Sequence, residues 1–258
     1  MIPKKHLGQH FLTTPSYARK IVSALPAVSG DHLLEIGPGQ GAVSIFLADR
    51  FPGFHCVEVD TAAIEILRMK LGDGHFSVHH HDVLTFDFSL AGFPLHVVGN
   101  LPYSIGALII KKTLLYGNAI SSCTFMVQRE VAQRIVATPH NKTYGFLSVF
   151  CSFFGTPRLL FNVPSGAFFP RPKVDSSVFQ IRIQDPEKKL PKCRWEPFFA
   201  LVSKGFQQRR KKVVNALVAD GELKGQVSAV LEELNVDLNA RPEDLSCTQW
   251  LELYKRIC

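Results

Sequence analysis

Between residues 31 and 128 the chain alternates short β-rich runs with helix-length segments, and no other feature of the sequence restricts its fold as strongly. The runs read LLEI then AVSIFLADR, HCVEV then TAAIEILRMKL, FSVH, LHVVGN then IGALIIKKTLLY, and CTFMVQ. Strands separated by helices predict an α/β fold with a parallel, doubly wound, Rossmann-like sheet. A helix from about Glu130, an apolar run over residues 144–154 and β-like runs at RLLFNV and SVFQIRI are expected to complete a first domain over residues 1–184. The Pro- and charge-rich stretch QDPEKKLPK reads as a hinge. Beyond it, FFALVSKGFQQRRKKVVNALV and GQVSAVLEELNV have helical periodicity, which predicts a small C-terminal helical domain over residues 190–258.

Composition excludes several function classes. With 258 residues, 46% hydrophobic and 20% charged, the chain can bury a sizeable core. No apolar run approaches the ~20 residues that span a bilayer, and MIPKKHLGQHF has neither an apolar signal region nor a small-residue cleavage site, so export and membrane insertion are not expected. The six cysteines form no C-x-x-C pair, which argues against a disulfide framework or a zinc cluster and for a reducing cytoplasm. Cys56 and Cys151 lie in apolar runs and are expected in the core. The net charge of +7 is uneven: residues 1–20 carry four Lys or Arg and no acid, residues 21–170 nine against ten, and residues 171–258 sixteen against twelve. Basic flanks on a neutral middle are the footprint of a polyanionic ligand such as a nucleic acid, although a solvated surface would look the same.

The first chemical signal is Leu34-Glu35-Ile36-Gly37-Pro38-Gly39-Gln40-Gly41, a strand running into a glycine turn that opens a helix. Gly37 and Gly39 there permit positive φ and close backbone approach to a nucleotide, though the G-x-G-x-G spacing is not the dinucleotide pattern and such a turn can be purely structural. The second is Glu58 in Val57-Glu58-Val59-Asp60, twenty-one positions beyond Gly37, where a strand-end acid can accept from ribose hydroxyls. Asp82, after the FSVH strand, is placed to accept from an adenine amino group. The run His79-His80-His81 is read as a strand-end surface cluster, because consecutive strand residues face opposite ways and do not converge on one metal. No metal site is expected.

The fourth signal is Gly99-Asn100-Leu101-Pro102-Tyr103. Adenine N6 is a poor nucleophile because its lone pair is delocalised into the ring. An enzyme that draws the nitrogen toward tetrahedral geometry needs acceptors for its two N–H groups, and the Asn100 side-chain oxygen and the Leu101 carbonyl are of that kind. Pro102 holds Leu101 out of helical geometry. Tyr103 offers a face for a stacked base. An ordinary Asn-x-Pro turn with Tyr103 in the core is the competing interpretation, and the order of glycine turn, acid, acid and Asn-Leu-Pro-Tyr at successive strand ends weighs against it.

With these motifs the chain resembles, nearly end to end, the family of small-subunit ribosomal RNA adenine dimethyltransferases. Leu7-Gly8-Gln9-His10-Phe11-Leu12 is similar to the family's L-G-Q-N-F-L, with His10 for the usual Asn, and the resemblance implies that His10 and Leu12 close over the methionine part of S-adenosylmethionine. It also implies cofactor contacts at Gly37, Gly39, Glu58, Asp82 and Asn100. Val127-Gln128-Arg129-Glu130-Val131-Ala132 and Gly166-Ala167-Phe168-Phe169-Pro170-Arg171-Pro172-Lys173-Val174-Asp175-Ser176 match further family segments, and Phe168 is implied to stack the flipped adenine opposite Tyr103. Phe206-Gln207-Gln208-Arg209-Arg210-Lys211-Lys212 resembles the second-domain helix. On it Arg209, Arg210, Lys211 and Lys212, with Lys4 and Lys5 at the basic N-terminal arm, are expected to contact phosphate.

The expected reaction is direct in-line methyl transfer from the sulfonium, dominated by positioning, with no essential His or Cys. The target adenine must be unpaired or flipped out. The expected partner is the small ribosomal subunit and its rRNA, with no membrane partner and nothing that demands more than a monomer. Four alternatives stand beside this: a large-subunit rRNA dimethyltransferase, a mitochondrial relative, disfavoured because no Arg- and Ser-rich presequence is read, an assembly factor without catalysis and, more distantly, a nicotinamide dehydrogenase disfavoured by the glycine spacing.

Overall fold

The computed structural model describes residues 9–26, 32–72, 74–218 and 221–258. In chain order its strands are β1 (Phe11–Leu12), β2 (His32–Ile36), β3 (Phe54–Glu58), β4 (Phe76–His80), β5 (Leu95–Asn100), β6 (Ile120–Gln128), β7 (Gly155–Val163), β8 (Phe168–Phe169) and β9 (Ser176–Ile183). The helices are α1 (Pro15–Ala24), α2 (Ser44–Arg50), α3 (Thr61–Leu71), α4 (Gly106–Leu115), α5 (Arg129–Ile135), α6 (Phe146–Phe154), α7 (Pro186–Lys189), α8 (Trp195–Gln207), α9 (Val213–Leu217), α10 (Gly221–Glu233) and α11 (Cys247–Ile257).

Seven strands form one sheet in the order β4-β3-β2-β5-β6-β9-β7, and β1 pairs with β8 in a separate two-stranded ribbon. The first five strands of that order run parallel, and β9 is antiparallel to β6. The central strands β2, β5 and β6 are buried almost throughout because both of their faces are covered. Leu33, Val98, Met126 and Val178 on the sheet join Ala18, Ile21 and Val22 of α1, Leu47 of α2 and Leu67 of α3 in one buried cluster. Each of the Leu, Ile, Val and Met side chains contributes roughly 1.5–3 kcal/mol by leaving water. The Asp60 carboxylate caps α3 by accepting from the Ala62 N–H at 3.1 Å. Gly99 lies across from Ile36, and a Cβ there would sit 2.7 Å from the Ile36 carbonyl oxygen, so only glycine lets β5 close on β2 just before Asn100.

The chain divides into two compact units, one of residues up to Ala132 with 158–183, the other of 133–157 with 184–258. This differs from a linear split after residue 184 in placing 133–157 with the C-terminal helices. The reason is aromatic packing: α6 carries Phe150, Phe153 and Phe154, and Phe150 meets Phe199 of α8 at a ring distance of 4.5 Å while Phe153 meets Phe198 at 5.4 Å. The segment 208–212 also departs from expectation, being a turn between α8 and α9 rather than helix. There the Arg209 guanidinium donates to the carbonyls of Lys142 at 3.0 Å and Tyr144 at 2.8 Å and to the Glu243 carboxylate at 2.6 Å. Cys56, Cys123 and Cys151 are buried, whereas Cys193 and Cys258 are exposed. Among the described residues no helix is long and apolar enough to cross a membrane.

Candidate active site

Parallel strands deliver their C-terminal ends to one edge of a sheet, and the ends of β2, β3, β4 and β5 open there on a cavity of about 320 Å³. Gly37 and Gly39 after β2, Glu58 at the end of β3, Asp82 after β4 and the run Asn100, Leu101, Pro102, Tyr103 from the end of β5 all line it, joined by His10 and Leu12. Residues up to 93 positions apart thus meet around one space.

The glycine turn has φ +64° at Gly37 and +53° at Gly39, left-handed conformations that other residues adopt at a cost of about 1–2 kcal/mol. A Cβ on Gly39 would stand 3.0 Å from the Phe11 ring. Glu58, 7% exposed, is the hub of this end. Its Oε1 accepts from the N–H groups of Val59 at 2.8 Å and Asp60 at 2.9 Å, and its Oε2 accepts from the Gly39 N–H at 3.1 Å. The strand-end acid therefore holds the glycine turn in place. Asp82 is exposed and accepts from the Leu84 N–H at 2.8 Å.

At the other end of the cavity the Asn100 side-chain Nδ2 donates to the His10 carbonyl at 3.0 Å. A carbonyl can only accept, so the amide is oriented and Oδ1 is turned away from His10. The Leu101 N–H is taken by the Met126 carbonyl at 3.0 Å. Among the described residues no donor reaches Asn100 Oδ1 or the Leu101 carbonyl, so two acceptor oxygens one residue apart stand unclaimed beside the cavity. Tyr103 is hydrogen-bonded to the Ser176 hydroxyl at 2.7 Å, and its ring is stacked on the His10 imidazole with centroids 5.3 Å apart. Burial raises the Tyr103 phenol above its ordinary pKa, and the Ser176 hydrogen bond opposes that only in part, so the ring stays neutral. His10 Nδ1 is 2.7 Å from the Pro170 carbonyl and must carry a proton there.

Phe168 does not line this cavity. It is 4% exposed and packed in the core with Leu12, Val98 and Met126, because the alternation along β8 turns it inward and its neighbour Phe169 outward. Lys4 and Lys5 lie outside the described residues. Of the basic run, Arg210, Lys211 and Lys212 are exposed, whereas Arg209 is occupied by its carbonyl and carboxylate partners. The histidine run is dispersed: His79 pairs with His55 at 2.9 Å and His80 reaches the Val59 carbonyl at 3.2 Å.

Sequence reasoning passed over three participants. Glu35 lines the cavity, accepts from the Ser44 hydroxyl at 2.6 Å, and is pushed by burial up to a pKa of about 8, with the Glu58 charge adding to the rise. Gln9 donates to the Asp60 carboxylate at 3.0 Å, and Ser176 holds Tyr103. Glu35 had a signal, an acid inside an apolar strand that must be paired or neutral. The other two are long-range contacts without a local signature.

Comparison with known proteins gives the site its family. The chain is 39% identical over 253 residues to a protein of Xanthomonas campestris pv. campestris named ribosomal RNA small subunit methyltransferase A, covering 97% of this chain and 94% of that one. A protein of the same name from Alcanivorax borkumensis is 36% identical over 254 residues, 97% of this chain and 88% of that one. Among solved structures, a dimethyladenosine transferase from Plasmodium falciparum shares the fold, with a TM-score of 0.80 at 23% identity over 95% of this chain and 96% of that one. The 23S rRNA methyltransferase ErmE superposes with a TM-score of 0.76 at 25% identity over 96% and 99%. The model of the family described as ribosomal RNA adenine dimethylase matches residues 3–258, and to that family this chain belongs.

Proposed function

We propose that the chain methylates adenine N6 in small-subunit ribosomal RNA, using S-adenosylmethionine and giving N6,N6-dimethyladenosine. The observation that carries the reading is the pair of unclaimed oxygens, Asn100 Oδ1 and the Leu101 carbonyl, on adjacent residues that line a cavity of about 320 Å³. The family resemblance adds that two adjacent adenines near the 3′ end are the targets and that the reaction belongs to small-subunit maturation. Such a substrate puts the work in the cytoplasm, and a monomer suffices for it.

The residues present fit the cofactor. A cavity of about 320 Å³ lies at the lower end of the roughly 300–1,000 Å³ of small-molecule sites. Its glycine turn would crowd a Cβ at Gly39 against the Phe11 ring at 3.0 Å, and Glu58 and Asp82 supply carboxylate oxygens for ribose and adenine donors. Bound there, S-adenosylmethionine supplies a methyl group already activated on a sulfonium. The protein's part is to hold the acceptor. The two N6–H groups donate to Asn100 Oδ1 and the Leu101 carbonyl, which localises the lone pair on nitrogen, and Tyr103 supports the base face. Neither oxygen is a base, and the released proton passes to water. His10 in this account holds Asn100 through its carbonyl and leaves its ring out of the chemistry. The exposed Arg210, Lys211 and Lys212, with Lys4 and Lys5, bind RNA phosphate.

The small-subunit choice rests on relatives at 36–39% identity over nearly the whole chain, against 25% for the 23S enzyme. The deciding experiment is transfer of labelled methyl groups to separated ribosomal subunits from unmethylated cells, followed by nucleoside digestion. Dimethyladenosine in small-subunit RNA is expected. Label confined to large-subunit RNA would overturn the substrate. Subunit binding without transfer would make the chain an assembly factor.

A further inference from the structure

Of the exposed large apolar side chains among the described residues, only Phe93 and Phe169 are aromatic. Phe93, 38% exposed, leans on Tyr116 at a ring distance of 6.0 Å. Phe169 is 62% exposed and has no ring or cation partner among the described residues. Single exposed apolar residues are common and need no purpose. What distinguishes this one is where it is held and what surrounds it.

Phe169 sits on β8, paired with Phe11 of β1, so its backbone is fixed by the ribbon. The carbonyl of the next residue, Pro170, accepts from His10 Nδ1 at 2.7 Å, and the His10 ring is stacked on Tyr103. A continuous series of contacts therefore links Phe169 to the adenine acceptor site. Arg171 and Lys173 follow it on the surface, and among the described residues Arg171 spends only its Nε, on the Ser165 hydroxyl at 3.0 Å. A flat apolar ring flanked by cations is the chemistry that binds a single-stranded polynucleotide.

We propose that Phe169 is a stacking platform for the base of the nucleotide adjacent to the target adenine, with Arg171 and Lys173 taking that nucleotide's phosphates. The proposal rests on the adenine-N6 reading above. Drawing one adenine out of a strand strips its neighbour of a stacking partner, and that exposed face is a cost of every productive encounter. Phe169 replaces the lost partner outside the cavity. Because every base has a π-face, the platform lowers the cost for any neighbour and adds affinity for the subunit without touching the methyl transfer itself.

The test compares wild type with Phe169→Ala, Phe169→Leu and Phe169→Trp in steady-state methylation of unmethylated small subunits, with cofactor affinity measured separately. The expected result is a KM for the subunit raised about tenfold in the Ala and Leu variants, the lower part of the range for one base–aromatic stack, with kcat and cofactor affinity kept. The Trp variant should return KM to the wild-type value. Leu is the control that retains apolar bulk without a flat face. A wild-type KM in the Ala and Leu variants would overturn the platform, as would a loss of cofactor affinity in both, which would make Phe169 a scaffold residue of the ribbon. A wild-type enzyme that transfers nothing to small subunits would instead remove the adenine-N6 reading beneath the proposal, and the two failures are therefore distinguishable.

Discussion

Glu58→Gln isolates what the strand-end acid does. The substitution keeps size and removes one acceptor. The amide oxygen can retain the Val59 and Asp60 N–H groups now held by Oε1, which leaves an NH₂ facing the Gly39 N–H where Oε2 accepts at 3.1 Å. Donor then meets donor at a site 7% exposed. Losing a hydrogen bond to a charged acceptor costs about 1.5–3 kcal/mol. Without cofactor the variant should unfold roughly 4–8 °C lower, taking ~2 kcal/mol and about 2–4 °C per kcal/mol for a domain of this size. With the ribose acceptor lost as well, S-adenosylmethionine should bind on the order of 10–100-fold more weakly, since each 1.4 kcal/mol is tenfold. Thermal unfolding without cofactor and titration calorimetry with it read the two effects separately. Wild-type cofactor affinity in this variant would refute the assignment of Glu58 to the cofactor. An unchanged unfolding temperature would refute its role as the hub of the glycine turn.

Three further perturbations have distinct signatures. Glu35, with its folded-state pKa pushed up from 4.5 to about 8, holds a proton that the unfolded chain has already lost. Stability is therefore lost as pH rises from about 4.5 through 8, and Glu35→Gln should flatten that decline in denaturant titrations at several pH values; a difference between wild type and variant that does not change with pH would contradict it. In the C-terminal unit, Arg209→Ala should lower stability because it strands the Lys142 and Tyr144 carbonyls and Glu243. Replacing Arg210, Lys211 and Lys212 together by Gln should leave stability intact and reduce the slope of log affinity against log salt by about one per phosphate contact removed. A salt slope equal to wild type would exclude the run from the RNA interface.

The sheet and the edge that carries the cavity were legible because their signals are local. Gly37, Glu58, Asp82 and Asn100 each follow an apolar run, and a parallel sheet carries all such ends to one side whatever the connections do. What could not be read depends on contacts distant in the chain or on a one-residue phase. Phe168 and Phe169 are chemically identical neighbours, and only the pairing of β8 with β1 decides which is buried. The apolar α6 could have covered either unit, until the aromatics of α8 claim it. Helical periodicity ran unbroken through residues 206–212, yet Arg209 finds carbonyls and a carboxylate that a continuous helix would not offer it. The orientation of Asn100 follows from His10, 90 positions away.

The proposed reaction turns on Asn100 presenting an oxygen to adenine N6. Methyl transfer from saturating labelled S-adenosylmethionine to unmethylated small subunits by Asn100→Ala, with subunit binding followed in parallel, puts that contact to the test. Transfer should fall about 10²–10³-fold, the usual effect of removing one preorganised polar group, with binding of the subunit retained. Full methylation by Asn100→Ala would contradict it.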